Sequence, residues 1–452
     1  MKVPATRALA TIGLIGLATC TRPANPGAVV VAVPVYNPAA DSQPAVRRAP
    51  DAPPRRPMTP PPVRLDVRDV GDTTIRVLLS SKVATLAVAA PGAIVFTDLT
   101  GRIVASGEQA GTWRMQHDGR KVRVVRANGA ASPWTSDGIV ARTGDAGLLS
   151  VAGKPYRGTI VAYGSDSGMN IVNVVRIDDY LRGVVPLEIG TTLPGDSSAV
   201  QAQAITARSY AYIHLTEHRV YDVTDGTLDQ VYGGVAAETA VGSQAVESTR
   251  TLVLKYAGRI VNAPYSSTCG GATAAASEIW RSEDEPYLRS VSDEIPGTGR
   301  YYCDIAPRFR WTRTLSESQV NAALTRYLAN YVSVRNGRPG VAQSIVVGER
   351  TASGRVGTLI ITTDRGRFTL RGNDIRYVMR APGGEILNST YFSVLATRGS
   401  GDAIAKLTLT GNGYGHGVGM CQWGAIGRAR AGQDVRTILR TYYPGTTVGP
   451  PE

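Results

Sequence analysis

The stretch "DSSAVQAQAITARSYAYIHL", residues 196–215, marks the point at which the pattern of this 452-residue chain changes. Apolar residues recur in it at the spacing of one helix face, at Val200, Ala204, Ala207, Ala211 and Leu215. Ser198 followed by Gln201 is the signature of a capping box at the start of a helix. We therefore predict a helix that begins near Ser198.

The residues before and after this helix differ in their patterns. Before it, short apolar or alternating runs are separated by Gly, Asp and Asn, which predicts strands in "TTIRVLLSS", "TLAVAA", "GAIVFTD", "RKVRVVRA", "LLSVAGKPYRGTIVAY" and "MNIVNVVRI". After it we predict helices in "VAAETAVGSQAVEST" and "SESQVNAALTRYLANYV", a hairpin turning at Ala257 and Gly258, strands in "SIVVGERTASGRVGTLIITTDRGRFTLRG", and two short helices around Gly432, the second capped by Asp434. Because strands and helices come in blocks, the fold class is α+β, with a β-rich N-terminal part and a mixed helix and strand part.

The first 62 residues are typical of an export signal followed by a tether. An apolar run from Ala8 to Ala18 follows two positive charges, and its length suits a signal peptide but not a membrane span. "GLA" at 16–18 suits ordinary signal peptidase, whereas "LATC" resembles a lipobox that would leave a lipid on Cys20; both interpretations stay open. Residues 21–62, rich in Pro and Ala, predict an extended linker. We expect an exported protein of the cell envelope, in the periplasm or at the cell surface, that reaches the membrane only through a lipid on Cys20.

The charge of the chain narrows the choice of partners. Lys and Arg number 49 against 36 Asp and Glu, a formal net charge of +13. Such a balance favours anionic partners: nucleic acid, lipid headgroups or acidic wall polymers. The basic residues are dispersed and form no Lys/Arg run, so we do not expect nucleic acid as a partner.

Glu188, in "DDYLRGVVPLEIG" at residues 178–190, is the first candidate for chemistry. The apolar "GVVPL" before it predicts a strand, and the Gly, Thr and Pro residues after it predict a loop. A carboxylate at such a junction can be partly desolvated, which raises its pKa and keeps it protonated near neutral pH. The same local sequence also suits a solvated loop glutamate with no catalytic role, so this alternative stays open.

The second candidate is "GNGYGHGVGMCQWGA", residues 411–425, in which every second residue up to 419 is glycine. Side chains alternate across a strand, so the pattern predicts a strand with one bare face, open to another backbone or to a flat ligand such as a sugar ring. Asn412, Tyr414, His416 and Val418 would form the other face. The stretch lacks the Lys-Ser/Thr pair and the βαβ context of a nucleotide-binding loop.

Five stretches, in order, resemble the successive blocks of the SpoIID/LytB family of bacterial cell-wall proteins, named after stage II sporulation protein D and an amidase enhancer. They are "YLRGVVPLEIG", "AVQAQAITARSYAY", "TDGTLDQVYGGVAAET", "STCGGATAAASEIW" and "GYGHGVGMCQWGAIGRARAGQDVRTILRTYYPGTTV". The resemblance covers roughly residues 72–448 and implies one SpoIID-like domain, residues 63–450, with a glycan cleft. The stretch 308–389 matches least and is predicted to be an insertion.

The resemblance implies peptidoglycan chemistry. Sporulation members of the family are lytic transglycosylases that cleave between N-acetylmuramic acid and N-acetylglucosamine in strands lacking stem peptides, and their essential glutamate falls on Glu188. It would protonate the departing glycosidic oxygen while the C6 hydroxyl of the muramic acid closes onto C1, giving a 1,6-anhydro end. This reaction needs no second carboxylate, in agreement with a sequence that has no paired-carboxylate motif.

The resemblance also implies the substrate contacts and a rival function. We expect the glycan to be contacted by His416 and Gln422 in the cleft wall and by Gln203, Arg208, Tyr210, Gln230 and Tyr232. Each of these residues also has a purely structural interpretation. The LytB branch implies instead a non-catalytic peptidoglycan-binding protein that stimulates a cell-wall amidase. The chain departs from the family pattern at Ile189, Gly190 and Gln201, where Met, Pro and Lys are common.

Three cysteines in the matched region, Cys269, Cys303 and Cys421, allow two interpretations. Export favours a disulfide between two of them. The other interpretation is a zinc site made of the three with His416. Some family members hold zinc through closely spaced His and Cys residues, a spacing absent here because no His lies near Cys269. The expected catalysis requires no cofactor.

Overall fold

The structure of the protein, a computed structural model, describes residues 73–144, 147–191, 193–399 and 401–451. The predicted signal peptide, the linker and Cys20 lie outside the described residues. Within them the chain forms both sheets and helices, which confirms the α+β class. No helix in the described part of the chain is long and apolar enough to cross a membrane.

The N-terminal part is built from strands, as the alternating runs predict. They are β1 (Thr74–Val83), β2 (Thr85–Ala90), β3 (Ile94–Asp98), β4 (Ile103–Gly107), β5 (Gly111–Asp118), β6 (Lys121–Arg126), β7 (Thr135–Ser136), β8 (Gly138–Thr143), β9 (Leu149–Val151), β10 (Lys154–Tyr156), β11 (Thr159–Ser165) and β12 (Gly168–Arg176). One sheet has the order β1-β12-β11-β8-β3-β4, with the short strand Val223–Thr224 pairing in parallel beyond β1, and the other has the order β10-β9-β2-β5-β6-β7. Apolar side chains from both sheets, such as Phe96 and Met115, fill one core.

The middle of the chain brings helices onto this core. Its elements are α1 (Ile177–Ile189), α2 (Ser197–Ile213), β13 (Val223–Thr224), α3 (Ala240–Ser248), β14 (Val253–Tyr256), β15 (Arg259–Ile260), β16 (Tyr265–Ser266), α4 (Ala276–Ile279), β17 (Glu294–Ile295) and β18 (Arg300–Tyr301). The hairpin β14–β15 turns at Ala257 and Gly258, as predicted. Both residues have positive φ, 48° and 81°, as a tight type I′ turn requires.

A second core follows along the chain. It contains β19 (Arg310–Ser316), α5 (Glu317–Tyr327), β20 (Ala342–Arg350), β21 (Val356–Thr363), β22 (Gly366–Arg371), α6 (Asp374–Val378), β23 (Phe392–Arg398) and β24 (Ile404–Asn412). Its sheets have the orders β19-β24-β23 and β20-β21-β22. Its buried residues extend from Trp311 to Leu409, past the end of the predicted insertion at residue 389.

The C-terminal segment returns to the first core. It consists of β25 (Met420–Cys421), α7 (Gln422–Arg430), α8 (Val435–Tyr442) and β26 (Thr447–Gly449). β25 pairs in parallel with β16, which places Ser266 beside Cys421. Asp434 caps α8 by accepting the backbone N–H of Thr437 over 2.7 Å, as predicted.

Helix α1 covers the stretch "GVVPL", where we predicted a strand, and that prediction was wrong. The two β-branched valines and Pro186 suggested a strand, but the buried residues of α1 follow helical spacing, at Ile177, Tyr180, Leu181, Val184, Val185 and Ile189. The helix ends at Gly190, whose φ of 66° is left-handed. Glu188 therefore lies in the last turn of a helix and not in a loop.

The capping box expected at Ser198 is also absent. Helix α2 begins one residue earlier, and Asp196 occupies the capping position without a side-chain hydrogen bond to the helix. The Asp196 carboxylate is instead engaged by Arg430, whose Nε lies 2.7 Å from Oδ1. This long-range ion pair with α7 replaces the local cap.

The glycine-rich stretch is a loop, not the strand that its alternation suggested. Strand β24 ends at Asn412, and Gly413, Gly415, Gly417 and Gly419 all have positive φ, between 70° and 119°. Their missing side chains let another part of the chain approach: a Cβ at Gly419 would lie 2.0 Å from the carbonyl oxygen of Pro264. The bare positions thus serve close packing within the protein.

Candidate active site

Glu188 lies partly exposed at the C-terminal end of α1, facing the loop that precedes α3. Its Oε1 accepts the backbone N–H of Val231 over 2.8 Å. The side chains of Gln422 and Tyr265 also donate hydrogen bonds to the carboxylate. Residues from three distant segments therefore converge on this one carboxyl group.

The pKa of Glu188 is raised above its usual value. Burial is the largest cause, because it disfavours the charged form, and it outweighs the hydrogen bonds from Val231, Gln422 and Tyr265, which favour that form. No carboxylate or cation of the described residues is among the groups that shift this pKa. The arrangement suits a carboxyl group that carries a proton closer to neutral pH than a free glutamate does.

Gln230 orients Tyr265 below the carboxylate. Its Oε1 accepts the hydroxyl of Tyr180 over 3.1 Å, and its Nε2 donates to the hydroxyl of Tyr265 over 3.0 Å. Gln230 is fully buried, so it has no surface with which to touch a ligand. The structure therefore places it behind the site, where it fixes the tyrosine that contacts Glu188.

Gln422 and Gln203 have a similar relationship. Gln422, the first residue of α7, donates from Nε2 to Oε1 of Gln203 over 3.1 Å, and its side chain also bonds to Glu188. Gln203 is fully buried on α2. Both residues were expected to contact glycan. Gln422 contacts Glu188, whereas Gln203 holds Gln422 in place.

Arg208 and Tyr232 are buried in structural contacts, contrary to the expected glycan contacts. Arg208 is 1% exposed, forms a 2.9 Å ion pair with Asp178, and donates to the carbonyl groups of Val246, Thr249 and Leu252. The hydroxyl of Tyr232 donates to Asn173 over 2.9 Å. Their donors are used within the protein, which leaves none directed at a ligand.

Tyr210 is placed closer to the surface of the site. Its hydroxyl donates to Oδ1 of Asp229 over 3.2 Å, and its ring stacks on that of His214 at 3.8 Å. Burial and the negative charges of Asp229 and Glu188 raise its pKa, so the hydroxyl stays protonated. Tyr210 and Glu188 are thus close enough to interact electrostatically.

His416 is held by backbone groups through both ring nitrogens. Nε2 lies 2.8 Å from the carbonyl oxygen of Tyr265 and donates to it, while Nδ1 accepts the N–H of Val418 over 3.1 Å. Burial, together with the charge of Arg376, lowers its pKa to about 3, so the ring is neutral. It therefore has no free nitrogen for a metal or a sugar, and its ring packs 5.1 Å from that of Trp280.

An open groove begins at Trp280. It has a volume of about 380 Å³ and is lined by residues of both cores: Ile279, Trp280, Arg281, Asn330, Tyr331, Arg371, Asn373, Asp374 and Tyr377. The rings of Tyr331 and Tyr377 are parallel, with centroids 5.9 Å apart. The contacts from Trp280 through His416 to Tyr265 connect this groove with Glu188.

Comparison with known proteins identifies the family of the chain. A family model described as stage II sporulation protein (SpoIID) matches residues 165–256, the segment that carries Glu188 and Tyr210. An uncharacterized protein of Brachyspira hyodysenteriae is 32% identical over 315 residues, which cover 69% of this chain and 76% of that protein. The stage II sporulation protein D of Bacillus subtilis is 30% identical over 294 residues, 61% of this chain and 75% of that protein. The chain belongs to the SpoIID family.

This SpoIID-family protein is also similar to an amidase enhancer and to a second family model. The amidase enhancer of Bacillus subtilis is 31% identical over 339 residues, which cover 66% of this chain but only 45% of the enhancer. A second model, described as a domain of unknown function (DUF8618), matches residues 301–419, which include the second core. Membership of the family supports a cell-wall-related function and suggests an envelope location.

Sequence reasoning missed three residues of the SpoIID-family site: Tyr265, Val231 and Asp229. Tyr265 lies just before the block "STCGG" and Val231 within "TDGTLDQVYGG", so both were near quoted motifs. Val231 contributes only its backbone N–H, which no residue-type pattern reveals. Tyr265 reaches the site because β16 pairs with β25, a contact between residues 155 positions apart in sequence.

The zinc set expected from the sequence is only partly brought together. Cys269, Cys303 and Cys421 do meet, and all three are free thiols. His416 is not part of the group, because both of its nitrogens are bound to backbone. The fourth member is Asp293, which no sequence motif indicated.

Proposed function

We propose that this SpoIID-family protein is a peptidoglycan lytic transglycosylase, with Glu188 as its general acid and base. It would cleave the bond between N-acetylmuramic acid and N-acetylglucosamine, in strands lacking stem peptides, and leave 1,6-anhydromuramic ends. The observation that carries the proposal is the state of Glu188: a partly exposed carboxyl group whose pKa is raised by burial and which is surrounded by neutral donors. A protonated carboxyl group near neutral pH is what the first step needs.

The hydrogen bonds of Glu188 indicate which oxygen carries the proton. The N–H of Val231 can only donate, so Oε1 is an accepting oxygen, and we assign the acid proton of the proposed reaction to Oε2. Oε2–H donates to the glycosidic oxygen as its bond to C1 breaks, and the N-acetylglucosamine leaves as an alcohol. Positive charge then develops at C1 and the ring oxygen of the muramic acid.

The second step restores the enzyme. The C6 hydroxyl oxygen of the muramic acid bonds to C1, and its proton passes to the Glu188 carboxylate. One C–O bond breaks and one forms, a proton leaves and returns, and no water is consumed. Because the attacking hydroxyl belongs to the substrate, a single carboxyl group suffices, unlike the paired carboxylates of ordinary glycosidases.

A glycan strand is long, so binding should extend beyond Glu188. The groove at Trp280 offers aromatic rings of the kind on which sugar rings stack, with Arg281 and Arg371 for carboxylates of the muramic acid lactyl groups. Tyr265, Tyr210 and Gln422 would contact the sugars next to the scissile bond. His416 and Gln230 would act indirectly, by holding Tyr265.

A second function is favoured by the similarity to the amidase enhancer. In this case the same cleft would bind peptidoglycan without cleaving it, and the protein would stimulate a cell-wall amidase. Glu188 would then serve only as a hydrogen-bonding group. The two functions differ in whether glycan bonds break.

The test is product analysis by mass spectrometry. The full-length purified protein is incubated with glycan strands with and without stem peptides, beside Glu188→Gln, which keeps the shape of the side chain and removes its acid proton. Glu349→Gln, an exposed glutamate on β20, is the matched control. We expect anhydromuramic products from the parent and the control and none from Glu188→Gln.

Two outcomes would overturn the proposal. Equal cleavage by Glu188→Gln and the parent would remove Glu188 from the chemistry. Glycan binding without cleavage, together with stimulation of an added amidase by both proteins, would establish the enhancer function instead.

A further inference from the structure

Four buried side chains meet behind the active site, outside the proposed chemistry. The Sγ atoms of Cys269, Cys303 and Cys421 and a carboxylate oxygen of Asp293 all lie within 4.8 Å of one another. Cys269 Sγ is 3.6 Å from Cys303 Sγ and 3.8 Å from Asp293 Oδ2. None of the four residues is more than 1% exposed.

The two separations measured from Cys269 match the ligand spacing of a zinc site. Zn–S bonds are about 2.3 Å long, so the corners of a tetrahedron around zinc lie roughly 3.8 Å apart. The two measured separations from Cys269 fall within about 0.2 Å of that ligand–ligand distance. Three sulfurs and one carboxylate oxygen are also ligand types that zinc accepts.

Cys421 is prepared for the thiolate form that a metal requires. Its Sγ accepts the backbone N–H groups of Cys269 over 3.1 Å and Gly424 over 3.3 Å. It caps the N-terminus of α7, where the helix dipole favours negative charge.

Asp293 is oriented by a second layer of contacts. Its Oδ1 accepts the hydroxyl of Tyr442 over 2.7 Å and Nη2 of Arg428 over 3.1 Å. These partners leave Oδ2 directed at the sulfurs. Metal-binding carboxylates are usually held in this way, with one oxygen on the metal and the other hydrogen-bonded to the protein.

Two buried arginines balance the charge of such a site. Three thiolates, one carboxylate and Zn²⁺ together carry two negative charges. Arg428 contacts the carboxylate, and Arg355, 1% exposed, donates to the carbonyl of Cys269 over 2.7 Å. In the described part of the chain Glu278 contacts Arg355 only indirectly, because the Ser353 hydroxyl lies between them. Glu278 therefore does not pair directly with Arg355, whose positive charge remains to balance the site. Burial of charged groups requires compensation of this kind.

We propose that Cys269, Asp293, Cys303 and Cys421 bind one structural zinc ion. All four positions of a tetrahedron are then filled by protein, so the ion has no open position for catalysis. Binding releases the three thiol protons to water. The ion joins the segments that carry Tyr265, four residues before Cys269, and Gln422, one residue after Cys421, and so fixes the two side chains that contact Glu188.

The rival arrangement is a disulfide between Cys269 and Cys303, and one preparation separates the two. The full-length protein is purified from the cell envelope without reductant or chelator, and its zinc is measured by elemental mass spectrometry. The thiols are then alkylated in denaturant with chelator and identified by peptide mass spectrometry. We expect one zinc per chain and alkylation of all three cysteines. A Cys269–Cys303 cross-linked peptide in zinc-free protein would overturn the proposal.

Variants localise the ion. Cys303→Ser should lose the zinc, whereas the exposed control Glu349→Gln should keep it. Tyr442→Phe retains all four ligands and should weaken zinc affinity about tenfold, as loss of a supporting hydrogen bond does. Unchanged zinc content in Cys303→Ser would contradict the proposal.

Cobalt substitution of the unmutated protein keeps the test independent of variant folding. Chelation followed by Co²⁺ should produce thiolate-to-cobalt charge-transfer absorption and intense visible bands typical of tetrahedral coordination. Absence of these bands in folded, fully reduced protein would overturn the assignment. Because the readouts are metal content and absorption, they do not depend on whether the proposed transglycosylase activity exists.

Discussion

Gln422 donates to Gln203 over 3.1 Å, although the two residues are 219 positions apart in the sequence. This bond joins α7 to α2 directly behind Glu188, to which Gln422 also donates. The position of the catalytic candidate is thus determined by contacts between segments that lie far apart in the sequence.

Gln422→Leu should move the pH profile of glycan cleavage. The hydrogen bond from Gln422 favours the charged form of Glu188 and so lowers its pKa. Its loss should raise the pKa of Glu188 further, and the basic limb of kcat/KM should shift to higher pH. Gln201→Leu on α2, which removes a surface contact with Ser248 of α3, should leave the profile unchanged. A shift to lower pH would contradict this account.

Glu188→Gln should stabilise the protein at high pH. Because the pKa of Glu188 in the folded state is above its unfolded value, the unfolded chain releases this proton first as pH rises. Ionised Glu188 therefore lowers the free energy of unfolding above its folded pKa and has no such effect below the unfolded pKa. Thermal unfolding of parent and variant should coincide at acidic pH and diverge at pH 8, with the variant more stable. A parent protein more stable than Glu188→Gln at pH 8 would contradict this prediction, because it would mean that the folded state stabilises the ionised carboxylate.

Trp280→Ala should weaken glycan binding more than catalysis. The ring lines the groove and is separated from Glu188 by His416 and Tyr265. Loss of one aromatic stacking surface, about 1 kcal/mol, should raise KM several-fold with little change in kcat. Trp134→Ala, a partly exposed tryptophan of the N-terminal sheets, is the control. An unchanged KM would exclude the groove from binding.

Arg208→Met should destabilise the protein without altering the activity of the folded fraction. The change leaves Asp178 and three carbonyl groups without their buried partner, which typically costs about 3–5 kcal/mol of unfolding free energy. Denaturant unfolding measures this loss, and Arg436→Met on the exposed side of α8 should cost little. Reduced activity in fully folded Arg208→Met would restore Arg208 as a glycan contact.

The variants Gly419→Ala and Gly432→Ala distinguish two reasons why a position requires glycine: a positive φ and a lack of space for a Cβ. Both positions have positive φ, 70° and 82°, but only at Gly419 would a Cβ collide with a backbone carbonyl, that of Pro264. Gly432 has open space around it. We expect about 1 kcal/mol of destabilisation at Gly432 and clearly more at Gly419. Equal losses would mean that φ alone requires these glycines.

Local patterns predicted the elements whose cause is local. The β14–β15 turn follows from Ala257 and Gly258, and the cap of α8 follows from Asp434, since both depend on neighbouring residues only. The strand predicted before Glu188 failed because β-branched valines suit a buried helix face as well as a strand. The glycine alternation misled in the same way, since positive φ and tight packing produce the same spacing.

The candidate site was predictable only where a family motif pointed to it. Glu188 and Gln422 were found from the resemblance, and the structure joins them. No quoted motif contains Asp293 or Tyr265, and only the pairing of β16 with β25 and the contact of Asp293 with Arg428 on α7 bring them into place. Arg208, polar and within a matched block, proved to be a buried brace.

The central claim is that Glu188 promotes cleavage without water. Cleavage of stem-peptide-free glycan in water labelled with heavy oxygen, followed by mass spectrometry of the products, tests it most directly. We predict anhydromuramic ends without label from the parent protein and no cleavage by Glu188→Gln. Reducing ends that carry the label would contradict the claim, because they would require an activated water and a second catalytic group.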